Sequence, residues 1–163
     1  MASRRTAVIV ADMEGITGIH RRRQCHTGKR EWREARRHYT ADVAAVVEGL
    51  RAGGFDRVVV RDVHDTGYNL YPLALGPGAV WRPGSRAERH TVYGDFRGAQ
   101  LAAFVGAHVG AGRPGFFPHT VWGVYDSVRV GGTDVDELDV VGGFLADDGV
   151  PVGFLSGEAA LVE

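Results

Sequence analysis

Residues 6–14 read Thr6-Ala7-Val8-Ile9-Val10-Ala11-Asp12-Met13-Glu14: a continuous apolar, β-branched run, then two carboxylates separated by one residue. An unbroken run of this kind fits a strand buried on both faces, as in a parallel sheet. Downstream, Trp32, Ala35, Tyr39, Val43, Val46, Val47 and Leu50 recur at three- and four-residue steps, which predicts a helix over residues 29–50. Thr27 is read as its N-cap, and Gly53-Gly54 ends it. Val58-Val59-Val60 forms the heart of a second buried strand. Strand, helix and strand of these lengths make a βαβ unit, so the two strands should run parallel.

The rest of the chain extends this pattern. Residues 65–78 carry Gly67, Asn69, Pro72, Gly76, Pro77 and Gly78 and read as loop. Residues 79–82 and 90–93 read as short strands, and residues 101–107 as another apolar strand. Residues 121–130 are read as a hairpin arm turning at Gly131-Gly132. Residues 135–146 are read as a helix capped by Asp134, and residues 151–155 as a last strand. Residues 157–163 look like the first turns of a helix. The expected architecture is one α/β domain over residues 1–163, a mostly parallel central sheet with flanking helices.

Bulk properties narrow the function. The chain has 163 residues, 44% hydrophobic and 24% charged, with a formal net charge of −1. Nothing in that balance calls for nucleic acid or an anionic membrane as partner. No apolar run approaches the roughly 20 residues needed to span a bilayer. Arg4-Arg5 precedes only a short apolar run with Asp12 at its end, so the N-terminus is read as a strand and the expected compartment is cytoplasmic. Cys25 is the only cysteine, so a metal would need His, Asp and Glu ligands.

Those residue types fall at strand ends. Asp12 and Glu14 follow the first strand, His64 the second, and His108 the third apolar strand. Ligands of open parallel sheets bind at the carboxyl edge, so a metal site is expected there. Mixed imidazole and carboxylate donors suit Zn²⁺ or Mn²⁺. The alternation in Asp12-Met13-Glu14 lets both carboxylates share one side of an extended segment, where they repel unless a cation lies between them. Alone, the pair fits two solvated loop acids as readily. His64, flanked by Asp62 and Asp65, also fits a loop histidine in a local salt bridge, and His108, set among small residues, also fits a half-buried structural histidine. The joint placement is what favours a metal. His119 ends a Gly/Pro-rich loop, and Glu137 falls in the first turn of a helix, where the macrodipole favours any acid. Cys25 beside His26 reads as a plain free thiol, since sequence neighbours rarely share attack geometry. The arginines of residues 21–37 read as a solvated face, with Glu31 and Glu34 interleaved. Arg21 to Arg23 also lie in the loop leading out of the expected site, within reach of a peptide carboxylate.

Five blocks carry a resemblance: Asp12-Met13-Glu14-Gly15-Ile16, Thr27-Gly28-Lys29-Arg30, Asp62-Val63-His64, Gly106-Ala107-His108 and Pro118-His119. In order and spacing they are similar to the bacterial zinc D-aminopeptidases associated with dipeptide-transport operons. The resemblance implies a two-zinc aminopeptidase acting on short peptides with an N-terminal D-residue, assembled as a homo-oligomer around its active sites. It implies that Asp12 bridges the metals, Glu14 and His64 hold one zinc, His108 and Glu137 hold the other, and His119 is the catalytic side chain. Asp62 is then expected to orient His64 or Arg30, and Arg30 to support the site or its substrate. Members of that family continue well beyond the position of Glu163, and their C-terminal portion helps build the chamber and the oligomer.

The expected reaction is metal-assisted amide hydrolysis, with His119 moving a proton to the leaving nitrogen or stabilising the oxyanion. Two alternatives stand beside it. One is hydrolysis or formation of another amide in a specialised biosynthetic pathway. The other is a non-catalytic, metal-stabilised subunit whose fold is completed by a partner chain in place of the family's C-terminal portion.

Overall fold

The structure, a computed structural model, describes residues 4–83 and 96–162. The apolar run of the N-terminus forms β1 (Thr6–Ala11). It lies between β2 (Arg57–Asp62) and β4 (Leu101–Ala107), and pairs with both in parallel. β3 (Ala79–Arg82) adds to β2, and β7 (Val152–Gly157) adds to β4, again in parallel. The sheet order is β3-β2-β1-β4-β7. This is the α/β architecture with a parallel central sheet that the buried runs predict.

The central strands carry unbroken apolar runs because both faces of the sheet are covered. On one face Ile9, Ala11, Val58, Val60, Ala103 and Val105 pack against Ala35, Tyr39, Val43 and Val47 of α1 (Arg30–Ala52). On the other, Val8, Val10, Ala102 and Phe104 meet Val141 and Leu145 of α2 (Glu137–Asp147). Each such side chain taken fully out of water contributes about 1.5–3 kcal/mol. β7 is less covered: it pairs with β4 alone, and Val152 and Phe154 are exposed. Among the described residues no helix is long and apolar enough to cross a membrane.

Several local expectations are corrected. α1 starts at Arg30 with Lys29 at the N-cap, because Gly28, at φ 88°, turns the chain between Thr27 and the helix. The expected arm over residues 121–130 is a strand only at β5 (Arg129–Val130), which turns at Gly131-Gly132 into β6 (Thr133–Asp134). Extension fails earlier because Val121 takes φ 64°. Since Asp134 is in β6, the cap of α2 passes to Asp136, whose side chain accepts from the Asp139 N–H in a reciprocal capping box. The last strand runs to Gly157, followed by α3 (Ala159–Val162). The strand expected at residues 90–93 lies outside the described residues.

Gly106 is required by the backbone packed against it. The segment Asp12–Ile16 lies directly on the end of β4: the Asp12 N–H donates to the Val105 carbonyl at 2.8 Å, and the Gly15 N–H to the Gly106 carbonyl at 2.9 Å. Gly106 has φ 82°, and a Cβ there would sit 2.1 Å from the Asp12 carbonyl oxygen. The glycine makes room for backbone. Gly106→Ala is therefore expected to destabilise the fold by about 2–4 kcal/mol, combining a left-handed alanine with a clash that only backbone movement relieves. Urea denaturation of the two proteins measures this.

Candidate metal centre and active site

Met13 is wholly buried in the α1-side core, so Asp12 and Glu14 on either side of it turn to the other side, towards the cleft. His64 leaves the chain two residues after β2, and His108 one residue after β4. The result is a row of facing donors. Asp12 Oδ1 lies 3.2 Å from His64 Nδ1, and Asp12 Oδ2 lies 3.3 Å from His108 Nε2. Glu14 Oε2 is 3.2 Å from the same His64 nitrogen. Glu137 Oε1 is 3.7 Å from His108 Nε2. One carboxylate thus stands between two imidazoles and turns one oxygen to each.

The ring orientations are fixed from behind. His64 Nε2–H donates to the Cys25 carbonyl at 2.6 Å, and His108 Nδ1–H donates to the Val109 carbonyl at 2.9 Å. Each ring therefore aims its other nitrogen at carboxylates, the arrangement seen where an acceptor behind the ring sets the tautomer of a ligating histidine. Glu14 Oε2 and His108 Nε2 are buried without a hydrogen-bond partner. His108 Nε2 is near Asp12 but not aligned for a hydrogen bond. Orphaned donors and acceptors of this kind are costly unless something else engages them.

The groups of this cluster shift one another's acidity. Burial works against a charged Asp12, but the imidazoles of His108 and His64 outweigh it and hold its carboxyl well below the usual range. Burial also works against charged imidazoles, yet Glu14 and Asp12 raise His64 well above its ordinary value. The same opposition, won by Asp12, puts His108 at about 10. Burial, with Asp12 nearby, pushes Glu137 up to about 7. The protein thus bears a compact set of mutually dependent charges, the pattern that marks functional sites.

Glu137 reaches the cleft because Asp136, not Glu137, caps α2. Its Oε1 accepts the Val121 N–H at 2.8 Å, from the residue held in the left-handed region. A β-branched residue there costs on the order of 1–3 kcal/mol, and its bond to Glu137 accounts for where that strain sits. His119 stacks on His108 with ring centroids 4.2 Å apart, and its Nδ1–H donates to the Phe117 carbonyl at 2.8 Å. Donor atoms of His108, His119 and Glu137 fall within 4.8 Å of one another, as do those of Asp12, Glu14 and His108. Asp12, Glu14, His64, His119 and Glu137 line a cleft of about 700 Å³, walled by Arg22, Phe117 and Trp122.

Two expected supports behave differently. Asp62 touches neither His64 nor Arg30 through its side chain. It accepts from the Asn69 N–H at 2.6 Å, from Asn69 Nδ2 at 3.0 Å, from the Leu70 N–H at 3.2 Å and from Tyr39 Oη at 3.2 Å. Burial raises its pKa despite those donors. Asn69 Nδ2 also donates to the His64 carbonyl at 2.6 Å, so Asp62 acts on His64 through Asn69. Arg30 does not line the cleft: its side chain is 85% exposed and pairs with Glu34 at 3.7 Å. The Cys25 thiol is buried, which with Glu14 nearby raises its pKa and keeps it protonated, while the ring of neighbouring His26 meets Phe117.

Asn69 and Glu158 carry weight that the sequence did not signal. Asn69, read as a loop breaker, is wholly buried. Glu158 lies beyond β7, and its carboxylate accepts the Val109 N–H at 2.6 Å and the Phe116 N–H at 2.9 Å. It pins both ends of the loop between His108 and His119. Partners 49 and 42 positions away leave no local trace in composition or spacing.

No curated protein matches the chain. Among solved structures, the zinc-dependent D-aminopeptidase DppA from Bacillus subtilis, described as a self-compartmentalizing protease, superposes with a TM-score of 0.80 at 26% identity. The match covers 96% of this chain and 57% of that one, so the chain spans little more than half the length of this relative. The family model described as D-aminopeptidase matches residues 6–163. With nearly its whole length matched, the chain belongs to the D-aminopeptidase family.

Proposed function

We propose that the chain carries the zinc site of a metallo-aminopeptidase that cleaves short peptides with an N-terminal D-residue. The observation that carries this reading is the position of Asp12, one oxygen facing each of two imidazoles that are themselves aimed by backbone carbonyls. The donor set fits zinc: imidazole nitrogen and carboxylate oxygen, two of them buried with no other partner. Glu14, His64 and Asp12 would hold one ion, and Asp12, His108 and Glu137 a second. Bound zinc supplies Lewis acidity, polarising the amide carbonyl and lowering the pKa of water.

The remaining chemistry belongs to side chains of this chain. His119 has one nitrogen committed to the Phe117 carbonyl, which leaves Nε2 to move a proton to the leaving amine. Its stacking on His108 holds the ring against the wall of the cleft. Phe117 and Trp122 form an apolar wall that limits water around the scissile bond. Assembly as a homo-oligomer in the cytoplasm belongs to the same reading, supported by the self-compartmentalizing relative.

Zinc-loaded protein should release free amine from dipeptides with N-terminal D-alanine much faster than from their L-counterparts. Chelation should abolish release, and added zinc should restore it. Failure to cleave any short peptide by protein carrying stoichiometric zinc would overturn the reading.

A further inference from the structure

We propose that Arg22 is a specificity-determining residue: it receives the free C-terminal carboxylate of a short peptide lying in the cleft. The inference rests on the peptidase reading above, and goes beyond it by assigning an anchor at the opposite end of the substrate from the zinc site.

Three consecutive arginines precede α1, and the fold separates them. Arg23 pairs with Glu31 at 2.8 Å. Arg22 alone of the three lines the cleft. Its guanidinium lies over the Phe117 ring, 4.8 Å from the centroid, and makes no ion pair among the described residues. Stacking on an aromatic face fixes the plane of the guanidinium while leaving its N–H edge free, and that edge matches a carboxylate in bidentate fashion.

The position of Arg22 is prepared by the backbone. It opens a 3-10 turn, Arg22–Gln24. The Gln24 side chain locks the approach: its Oε1 accepts the His20 N–H at 2.9 Å and the Arg21 N–H at 2.8 Å, and its Nε2 donates to the Gly18 carbonyl at 2.9 Å. The next residue, Cys25, supplies the carbonyl that holds His64. The turn bearing Arg22 is therefore tied directly to the imidazole at the floor of the site.

Distance and charge then select the ligand. Phe117 stands between Arg22 and His119, with its ring centroid 5.0 Å from that of His119. Arg22 is thus two ring contacts from the side chain proposed to protonate the leaving amine. Successive residues of a peptide are spaced by about 3.8 Å, so the terminal carboxylate of a di- or tripeptide falls one or two such steps beyond the scissile bond. Asp12, Glu14 and Glu137 are set in from the surface of the cleft, and Arg22 lines its exposed part together with Asp65. A short peptide with both termini free presents the complementary order of charges.

The test compares a D-alanyl-D-alanine isostere, its scissile amide replaced by CH2–NH so that it cannot be cleaved, with the same molecule ending in a carboxamide. Both are titrated calorimetrically into zinc-loaded protein, and the cleavable pair is assayed in parallel. Wild type should bind the carboxylate about 10- to 100-fold more tightly than the carboxamide, as a charge-assisted bidentate pair would give. Arg22→Gln should erase that difference through loss of carboxylate affinity, leaving the carboxamide unchanged, with the loss carried by KM and not kcat. Arg22→Lys, which keeps charge but not the stacked fork, should recover only part of it. Equal binding of the two ligands by wild type, or discrimination that survives in Arg22→Gln, overturns the assignment even if both peptides are cleaved. Discrimination that depends on Arg22 in a protein that cleaves neither peptide sustains the assignment and removes the peptidase reading.

Discussion

Asp12→Ala should strip the protein of metal: from about two zinc ions per chain in wild type, the two-metal arrangement, to none retained after desalting. The size of the effect follows from where Asp12 stands. Its two oxygens face His64 and His108 separately, so it is the carboxylate that stands between the two imidazoles. Loss of a flanking donor such as Glu137 leaves Asp12, Glu14 and His64 together. Loss of Asp12 leaves each half with an imidazole and one carboxylate, below the three protein ligands of a catalytic zinc site. Elemental mass spectrometry of the purified proteins reads the outcome directly, and hydrolysis by the variant should equal that of chelated wild type. Retention of two zinc ions by Asp12→Ala would remove the bridging role.

The second large effect is expected at His119. His119→Ala should keep its zinc and lose about 10²–10⁴-fold in kcat, the usual contribution of a positioned proton donor. The competing role is real, because His119, His108 and Glu137 bring donor atoms within 4.8 Å of one another and could themselves hold an ion. Two features favour proton transfer. His119 meets His108 face to face, with 10° between the ring planes, so the rings are stacked and not converging on a shared point. His119 is also less buried than His108, on the wall that a substrate would touch. Metal content separates the roles: if His119→Ala loses an ion along with activity, His119 is a ligand.

Some of this was legible in the sequence. The runs that became β1, β2 and β4 are apolar on both faces because α1 and α2 cover both faces, and that double burial is what a continuous Val/Ile/Ala run records. Asp12, His64 and His108 stood out because each follows a strand by one or two residues. Glu137 did not. An acid in a first helical turn looks like a dipole partner, and only the capping by Asp136 shows that Glu137 is left over for another task. Thr27 looked like a cap, but a cap must be adjacent to its helix, and Gly28 intervenes with positive φ. Asn69 and Glu158 were indistinct, and Arg22 could not be told from Arg21 and Arg23, for a common reason. Their roles depend on residues brought near by tertiary packing, whereas sequence patterns report on neighbours within a turn or two.

The imidazoles of His64, His108 and His119 are all steered by main-chain carbonyls, those of Cys25, Val109 and Phe117. A carbonyl oxygen is present whatever residue stands there, so no substitution at positions 25, 109 or 117 deletes the steering atom itself. Drift at those positions is constrained by packing and backbone path, and not by the chemistry of the steering group. A centre oriented in this way can persist while most of the surrounding sequence changes, which is consistent with a shared fold across a chain pair only 26% identical.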